Sequence, residues 1–255
     1  MITGASSGIG LELARSFARR GHGVTLVARR KERLEQLSAE LSDRHQVRAE
    51  VIGHDLSEQS ERDELVADVE AFGLAVAILV NNAGFGSGAP FVRLDREREL
   101  RMLRVNCEAV VDLCARYVPA MVQRRRGAVL NVASTAAFQP LPGQTTYAAS
   151  KAMVLSFTEA LHEELAHRGV AVTALCPGPV KTEFVEVAEL GDISTPDFLW
   201  DTAEKVAEAG VRGLERNRRV VVPGAINQVG AIAGRLTPRG LFLRGASRFY
   251  PVGRE

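Results

Sequence analysis

Short apolar runs alternate along this chain with longer segments of helical period, and that alternation narrows the choice of fold more than any other feature. Residues 23–28 (GVTLVA), 47–52 (VRAEVI), 75–81 (AVAILVN), 127–134 (GAVLNVAS), 170–176 (VAVTALC) and 218–223 (RRVVVP) have the length and the β-branched or apolar content of strands. Between them, residues 9–20, 31–44, 58–72, 96–125, 147–168 and 202–215 repeat their apolar positions at helical spacing. Strands that are apolar on both faces and separated by helices build βαβ crossovers, so the expected fold is a doubly wound parallel α/β sheet in a single domain. A chain of 255 residues suits one domain of this kind. The pattern holds over 1–223, whereas residues 224–255 form a tail richer in glycine, proline and arginine, with five arginines against the single acid Glu255.

The first ten residues, MITGASSGIG, supply the turn from the first strand into the first helix. Gly4, Gly8 and Gly10 let the backbone turn tightly and approach a ligand, and the helix start offers unpaired N–H groups and a partial positive charge to a pyrophosphate. The hydroxyls of Ser6 and Ser7 can reach phosphate or ribose. Only Met1 and Ile2 precede this turn, where a buried central strand usually has about four to six residues. Three or four missing aliphatic side chains would forfeit on the order of 5–10 kcal/mol. The native protein is therefore expected to begin about five to ten residues earlier.

The end of the second strand bears on which dinucleotide binds. An acid there would favour NAD by accepting a hydrogen bond from the ribose 2′-hydroxyl, whereas arginine accommodates a 2′-phosphate. The sequence is Ala28-Arg29-Arg30-Lys31, without an acid, and cations at a helix N-terminus oppose its dipole unless an anion binds. NADP is accordingly expected over NAD, with Arg29 and Arg30 at the phosphate. Asp55 and Leu56, in HDLS after the third strand, fall at the adenine end, Asp55 as an acceptor for the adenine amino group.

Tyr147 and Lys151 stand four residues apart, on one face of a helix. A neighbouring ammonium favours the phenolate and brings a tyrosine toward the range useful for general acid and base catalysis. Ser134 ends the fifth strand at the sheet edge where doubly wound folds bind ligands, and Asn82-Ala83-Gly84 ends the fourth strand at the same edge. Asn106 interrupts the long apolar helix that follows.

Thr3-Gly4-Ala5-Ser6-Ser7-Gly8-Ile9-Gly10, Asn82-Ala83-Gly84, Asn106, Ser134, Tyr147, Lys151 and Pro177-Gly178-Pro179-Val180-Lys181-Thr182 together resemble the short-chain dehydrogenase/reductase family, in order and at its spacings, from residue 1 to about 222. The resemblance implies a seven-stranded Rossmann sheet and hydride transfer between NAD(P)H and a carbonyl or alcohol. It implies that Tyr147 is the general acid in reduction and base in oxidation, and that Ser134 orients the substrate oxygen. Lys151 would hold the nicotinamide ribose and lower the tyrosine pKa, and Asn106 would anchor a water that joins Lys151 to a proton relay. Ile9 joins the cradle residues, and Pro177, Gly178, Val180 and Thr182 would contact the nicotinamide end. A cofactor-binding protein without activity, or an epimerase or dehydratase on the same fold, are the alternatives; the tyrosine, lysine and serine argue against the first.

The family's substrate-covering segment falls at 183–200, where Phe184, Val185, Val187, Leu190, Phe198, Leu199 and Trp200 join Phe138 and Leu141 in suggesting an apolar pocket for an apolar small-molecule carbonyl or alcohol of a lipid, steroid-like, acyl or xenobiotic kind. Core or subunit packing is the other use of these side chains. The family usually forms homodimers or homotetramers through two long helices, here carrying Val110, Leu113, Val118, Met153, Leu155 and Leu161, which core packing explains equally well. A net charge of +1 gives no reason to expect nucleic acid, and Cys107, Cys114 and Cys176 are too few and scattered for a disulfide framework or a metal site. Without a signal peptide or membrane-length apolar run the chain reads as cytoplasmic. The amphipathic tail can pack on the domain or a partner subunit, or touch an anionic membrane surface; Gly234, Pro238 and Gly245 are expected to break it.

Overall fold

The computed structural model describes residues 1–188, 200–240 and 242–244. Seven strands form one sheet in the order β3-β2-β1-β4-β5-β6-β7, with every pair parallel. They are β1 (Ile2–Thr3), β2 (Val24–Val27), β3 (Ala49–Ile52), β4 (Ile78–Asn81), β5 (Gly127–Val132), β6 (Val170–Leu175) and β7 (Val220–Val221). Each lies within an apolar run expected from the sequence, shortened at its ends, and β1 adds to them. The central strand β1 pairs through Ile2 with Leu26 on one side and Val80 on the other.

Side chains alternate across these strands and so feed two separate layers. On one face Leu26, Val80, Leu130 and Leu175 meet α1 (Gly8–Arg19), α2 (Lys31–His45) and α8 (Ala203–Glu215) through Leu13, Phe17, Leu34, Leu41, Val206 and Val211. On the other, Val27, Leu79, Val129 and Val172 meet α3 (Gln59–Ala71), α5 (Ala109–Gln123) and α6 (Thr145–Leu165) through Leu65, Val69, Leu113, Met121 and Leu165. Strands covered above and below are apolar at consecutive positions for this reason.

Two expectations need correction. The helix expected over 96–125 is α4 (Arg96–Leu103), one π turn (Arg104–Glu108) and then α5. Asn106 lies in that turn, and widening to i→i+5 hydrogen bonding lets its side chain leave the helix for partners elsewhere. In the tail, α9 (Ala225–Leu236) runs through Gly234 and stops before Pro238. Glycine at 234 allows close packing there, since a β-carbon would lie 2.8 Å from Gln139 Oε1. Arg235 fixes α9 to the body of the protein, stacking 4.9 Å over Phe138 and pairing with Glu159. Gly245 lies outside the described residues. Of the two uses left open for the stripe on these helices, the core takes most of it: Val110, Leu113, Val118 and Leu155 are buried, Leu161 is half-buried, and Met153 is 36% exposed.

A polar chain crosses the apolar interior between β4, β5 and α6. Asn81 Nδ2 donates to Asn131 Oδ1 at 2.9 Å, Asn131 Nδ2 donates to Thr158 Oγ1 at 2.9 Å, and Thr158 Oγ1 donates to Val154 O at 2.6 Å. Buried polar groups tolerate such surroundings only when paired. Thr158→Val keeps the shape but leaves the Asn131 amide without its acceptor, and is expected to cost about 1–3 kcal/mol of unfolding free energy in urea denaturation.

Candidate active site

The sheet order reverses between β1 and β4, and the cleft opens above the carboxyl ends of the strands at that point. At its floor, Gly4 has φ +66° and Gly8 φ +56°, and a β-carbon at Gly4 would lie 2.8 Å from Ala83 Cα. Asn82 locks the two strand ends together: its Nδ2 donates to Thr3 O (2.9 Å) and Gly4 O (3.2 Å), while Thr3 Oγ1 accepts from the N–H of both Asn82 and Ala83 at 3.0 Å. Ser7 precedes α1 without capping it, and no acid occupies the helix's first turn, so the partial positive charge at its start is uncompensated by side chains. Such a cradle fits a pyrophosphate.

About 340 Å³ of space runs from this cradle to the tyrosine. Its walls include Gly4, Ser6, Ser7, Gly8, Ile9, Arg29, Arg30, Asp55, Leu56, Asn82, Ala83, Gly84, Ser134, Tyr147, Lys151, Pro177, Gly178, Val180 and Thr182. Two expected residues stand behind the wall. Gly10 is packed beneath the turn, where a β-carbon would strike Gly4 O, and Asn106 is buried with its amide already engaged. Asn106 Oδ1 accepts from Phe85 N at 3.1 Å, and its Nδ2 donates to Phe85 O and to Ser150 Oγ, both at 3.0 Å. Ser150 Oγ donates in turn to Tyr147 O at 2.7 Å, so the π turn braces both the Gly84–Phe85 loop and the tyrosine's helix.

Tyr147 and Lys151 lie one turn apart on α6 and are both buried. Lys151 Nζ donates to Val132 O at 2.9 Å and sits 5.9 Å from the Tyr147 ring centroid. Burial lowers the lysine to about 8. The tyrosine differs from the expectation of a lowered pKa: burial pushes it up to about 12, and only hydrogen bonding by Ser134 opposes the rise. The phenol is consequently protonated at neutral pH. Ser134 Oγ also accepts from Ala136 N at 3.1 Å, which fixes it at the start of the short 3₁₀ turn Thr135–Phe138.

At the opposite end, Asp55 carries more partners than its sequence context suggested. Its Oδ1 accepts from Ser57 N (3.0 Å) and Ser57 Oγ (2.8 Å), Arg101 donates to its Oδ2, and Arg29 Nη1 is 3.7 Å from the same oxygen. Burial would raise the Asp55 pKa, but hydrogen bonds from Ser57 and Arg101 outweigh it and hold the carboxyl below its ordinary value. Arg101 lines the cleft and was missed, because an arginine in a charged amphipathic helix carries no signal that distinguishes it from a solvated one. Thr3 was legible only as part of the glycine motif.

On the substrate side Phe184 packs on Tyr147 with centroids 5.4 Å apart, and Phe85, Met102 and Leu141 join them. Val187 lines the cleft. Phe138 instead packs under Arg235, away from the tyrosine, because the 3₁₀ turn directs it toward α9. Val185 is half-buried on α7 (Phe184–Val187), Trp200 is half-buried, and Leu190, Phe198 and Leu199 lie outside the described residues. Cys107, Cys114 and Cys176 are free thiols, and among the described residues no three metal-ligating side chains cluster. Nor is any helix among them long and apolar enough to cross a membrane.

Comparison with known proteins gives concordant matches. A family model described as short chain dehydrogenase covers residues 1–191. The chain is 33% identical over 232 residues to a very-long-chain 3-oxoacyl-CoA reductase of Anas platyrhynchos, covering 88% of this chain and 72% of that one. It spans only 61% of the human protein of the same name. It is 39% identical over 217 residues to sulfoacetaldehyde reductase 2 of Chromohalobacter salexigens, covering 82% and 84% respectively. The solved structure of a short-chain dehydrogenase from Sphingobium yanoikuyae in complex with NADPH matches with a TM-score of 0.82 at 34% identity, covering 95% of this chain and 94% of that one.

The lysine's depressed pKa has a thermodynamic consequence. The unfolded chain holds the Lys151 proton up to about 10.5, the folded chain only to about 8. Between those values the unfolded state binds more protons, so this residue's contribution to stability rises with pH, and the cost of burying its charge is fully present below pH 8. Urea denaturation of the protein and of Lys151→Met across pH 7–11, without added cofactor, should show that rise in the parent and its loss in the variant.

Proposed function

This chain belongs to the short-chain dehydrogenase family and is an NADP-dependent oxidoreductase interconverting a carbonyl and an alcohol; on that premise we propose how its residues divide the work. The observation that carries the reading is Tyr147, protonated and buried at the end of the cleft, with Ser134 acting on its hydroxyl and Lys151 one turn away. NADPH, when bound in this cleft, would supply the hydride.

In the reductive direction Tyr147 donates its proton to the substrate oxygen, and Ser134 orients that oxygen by a second hydrogen bond. The pKa of about 12 keeps the required proton in place at neutral pH. The Ser134 hydrogen bond opposes the effect of burial and so eases release of the proton. Lys151 holds the nicotinamide ribose, and Asn106, whose amide keeps the Gly84–Phe85 loop and α6 in register, anchors a water that joins Lys151 to a proton relay. Gly4, Ser6, Ser7, Gly8 and Ile9 cradle the pyrophosphate, with Gly10 and Asn82 giving the turn its shape. Ala83 and Gly84 border the ribose, Asp55 and Leu56 the adenine, and Pro177, Gly178, Val180 and Thr182 the nicotinamide end. Arg29 and Arg30 take the 2′-phosphate.

The substrate is an apolar carbonyl or alcohol presented to Tyr147 by the cleft-lining Phe85, Phe184 and Val187, with Met102 and Leu141 packed behind them. The protein acts as a homodimer or homotetramer through α5 and α6, whose outward faces carry Val111 and Met153. A cytoplasmic location agrees with three cysteines left free. Residues 1–223 form the catalytic unit, and α9 in the tail packs on it.

Tyr147→Phe is expected to lower kcat by at least about a hundredfold, the contribution of one general acid, while NADPH binding stays within about twofold of the parent. The assay is NADPH absorbance against a panel of acyl, steroid-like and aromatic ketones and aldehydes. Net consumption supports the reductase. Product formed without net consumption would point to an epimerase or dehydratase, and an unchanged rate in the variant would remove Tyr147 from the chemistry. In the same cofactor titrations Arg29→Ala should weaken NADPH about tenfold or more relative to NADH, as loss of a charge-assisted phosphate contact requires.

A further inference from the structure

Glu183 follows Thr182 and leads into α7, and its carboxylate is held by two cations from a distant part of the chain. Arg30 Nη1 lies 2.8 Å from Oε2 and Arg33 Nη1 lies 2.6 Å from Oε1. Arg30 also donates through Nη2 to Ser7 Oγ at 2.9 Å and to Ser6 Oγ at 3.1 Å. Glu183, Arg30, Ser6 and Ser7 all line the cleft. One anion therefore bridges the start of α2 to the loop after β6 at the mouth of the phosphate cradle. The other acid lining the cleft, Asp55, is engaged by Arg29, Arg101 and Ser57 rather than by Arg30 or Arg33.

A guanidinium fork recognises carboxylate and phosphate by the same geometry, and a phosphate dianion brings more charge. The group expected at the end of β2 is such a phosphate, and Glu183 already engages Arg30, one of the two arginines assigned to it, together with Arg33 on α2. We propose that Glu183 is a cofactor-specificity residue: an internal carboxylate that competes with the 2′-phosphate of NADP for Arg30 and Arg33. It rests on the NADP reading above. NADH lacks the 2′-phosphate and requires no exchange, so the competition narrows the preference for NADPH instead of creating it. Both ion pairs are more than a third exposed, and pairs of that kind contribute modestly. Glu183 accordingly tunes the affinity for NADPH and does not abolish it.

The test is a titration of NADPH and NADH, followed by quenching of protein fluorescence, on the parent, Glu183→Gln, Arg30→Ala and Arg33→Ala. Removing the charge from Glu183 should tighten NADPH about three- to tenfold and leave NADH within about twofold, since up to about 1 kcal/mol per exposed pair is released. Arg30→Ala and Arg33→Ala should weaken NADPH selectively. Weakened or unchanged NADPH binding in Glu183→Gln, with both arginine variants impaired, overturns the competition and leaves the NADP reading intact. An equal gain for NADH overturns the assignment to the 2′-phosphate. If neither arginine variant affects NADPH, the cation assignment fails and the competition with it.

Discussion

Two strand ends meeting without intervening side chains are what the site depends on. Gly4 approaches Ala83 so closely that a β-carbon has no room, and Asn82 and Thr3 close the contact with four hydrogen bonds between the ends of β1 and β4. That contact lies where the sheet reverses its direction of winding, and parallel strands leave their helices diverging there. The start of α1 is thus aimed into a cleft, with its N–H groups toward an incoming anion. A side chain at position 4 or 10 would push the strands apart and remove the cradle.

Buried polar groups set the position of the reacting residues as firmly as the apolar layers set the sheet. The Asn81–Asn131–Thr158 chain ties β4 and β5 to α6 in the interior. A second chain, Phe85–Asn106–Ser150–Tyr147, joins the π turn to the catalytic helix near its N-terminal end. These hydrogen bonds form in one arrangement of the helices, with Asn81 Oδ1 alone in the two chains left without a partner, and a helix displaced by a turn would break several of them. The rigidity of Tyr147 follows from its helix being held from both sides. Its high pKa has the same origin, since the packing that fixes the ring also withdraws water from the phenolate.

The mouth of the cleft is governed by charge. Arg29 and Arg101 share Asp55, while Arg30 and Arg33 share Glu183, so each pair of cations is held by one acid and keeps a net positive charge. Like charges are thereby kept near one another at the edge of a low-dielectric cleft, oriented but still partly solvated. Such an arrangement can receive a phosphate by exchanging one anion for another, with little rearrangement of the backbone.

Residues near one another in sequence, or repeated at a regular period, were legible in advance. The alternation of runs yields the parallel sheet; the glycines, Tyr147, Lys151, Ser134 and Asn82 mark the cleft; and the absence of an acid at Ala28 marks the phosphate end. Each of these is a local property: strand length, helical spacing, or a residue type demanded by a tight turn. The tertiary structure decided what distant residues do to one another. It brought Glu183 onto Arg30 and Arg33, placed Arg101 on Asp55, opened the π turn at Asn106, turned Phe138 toward α9 and raised the Tyr147 pKa that Lys151 was expected to lower. Ion pairing and desolvation depend on separations in space, and a chain read residue by residue holds no record of which side chains folding will bring within 4 Å.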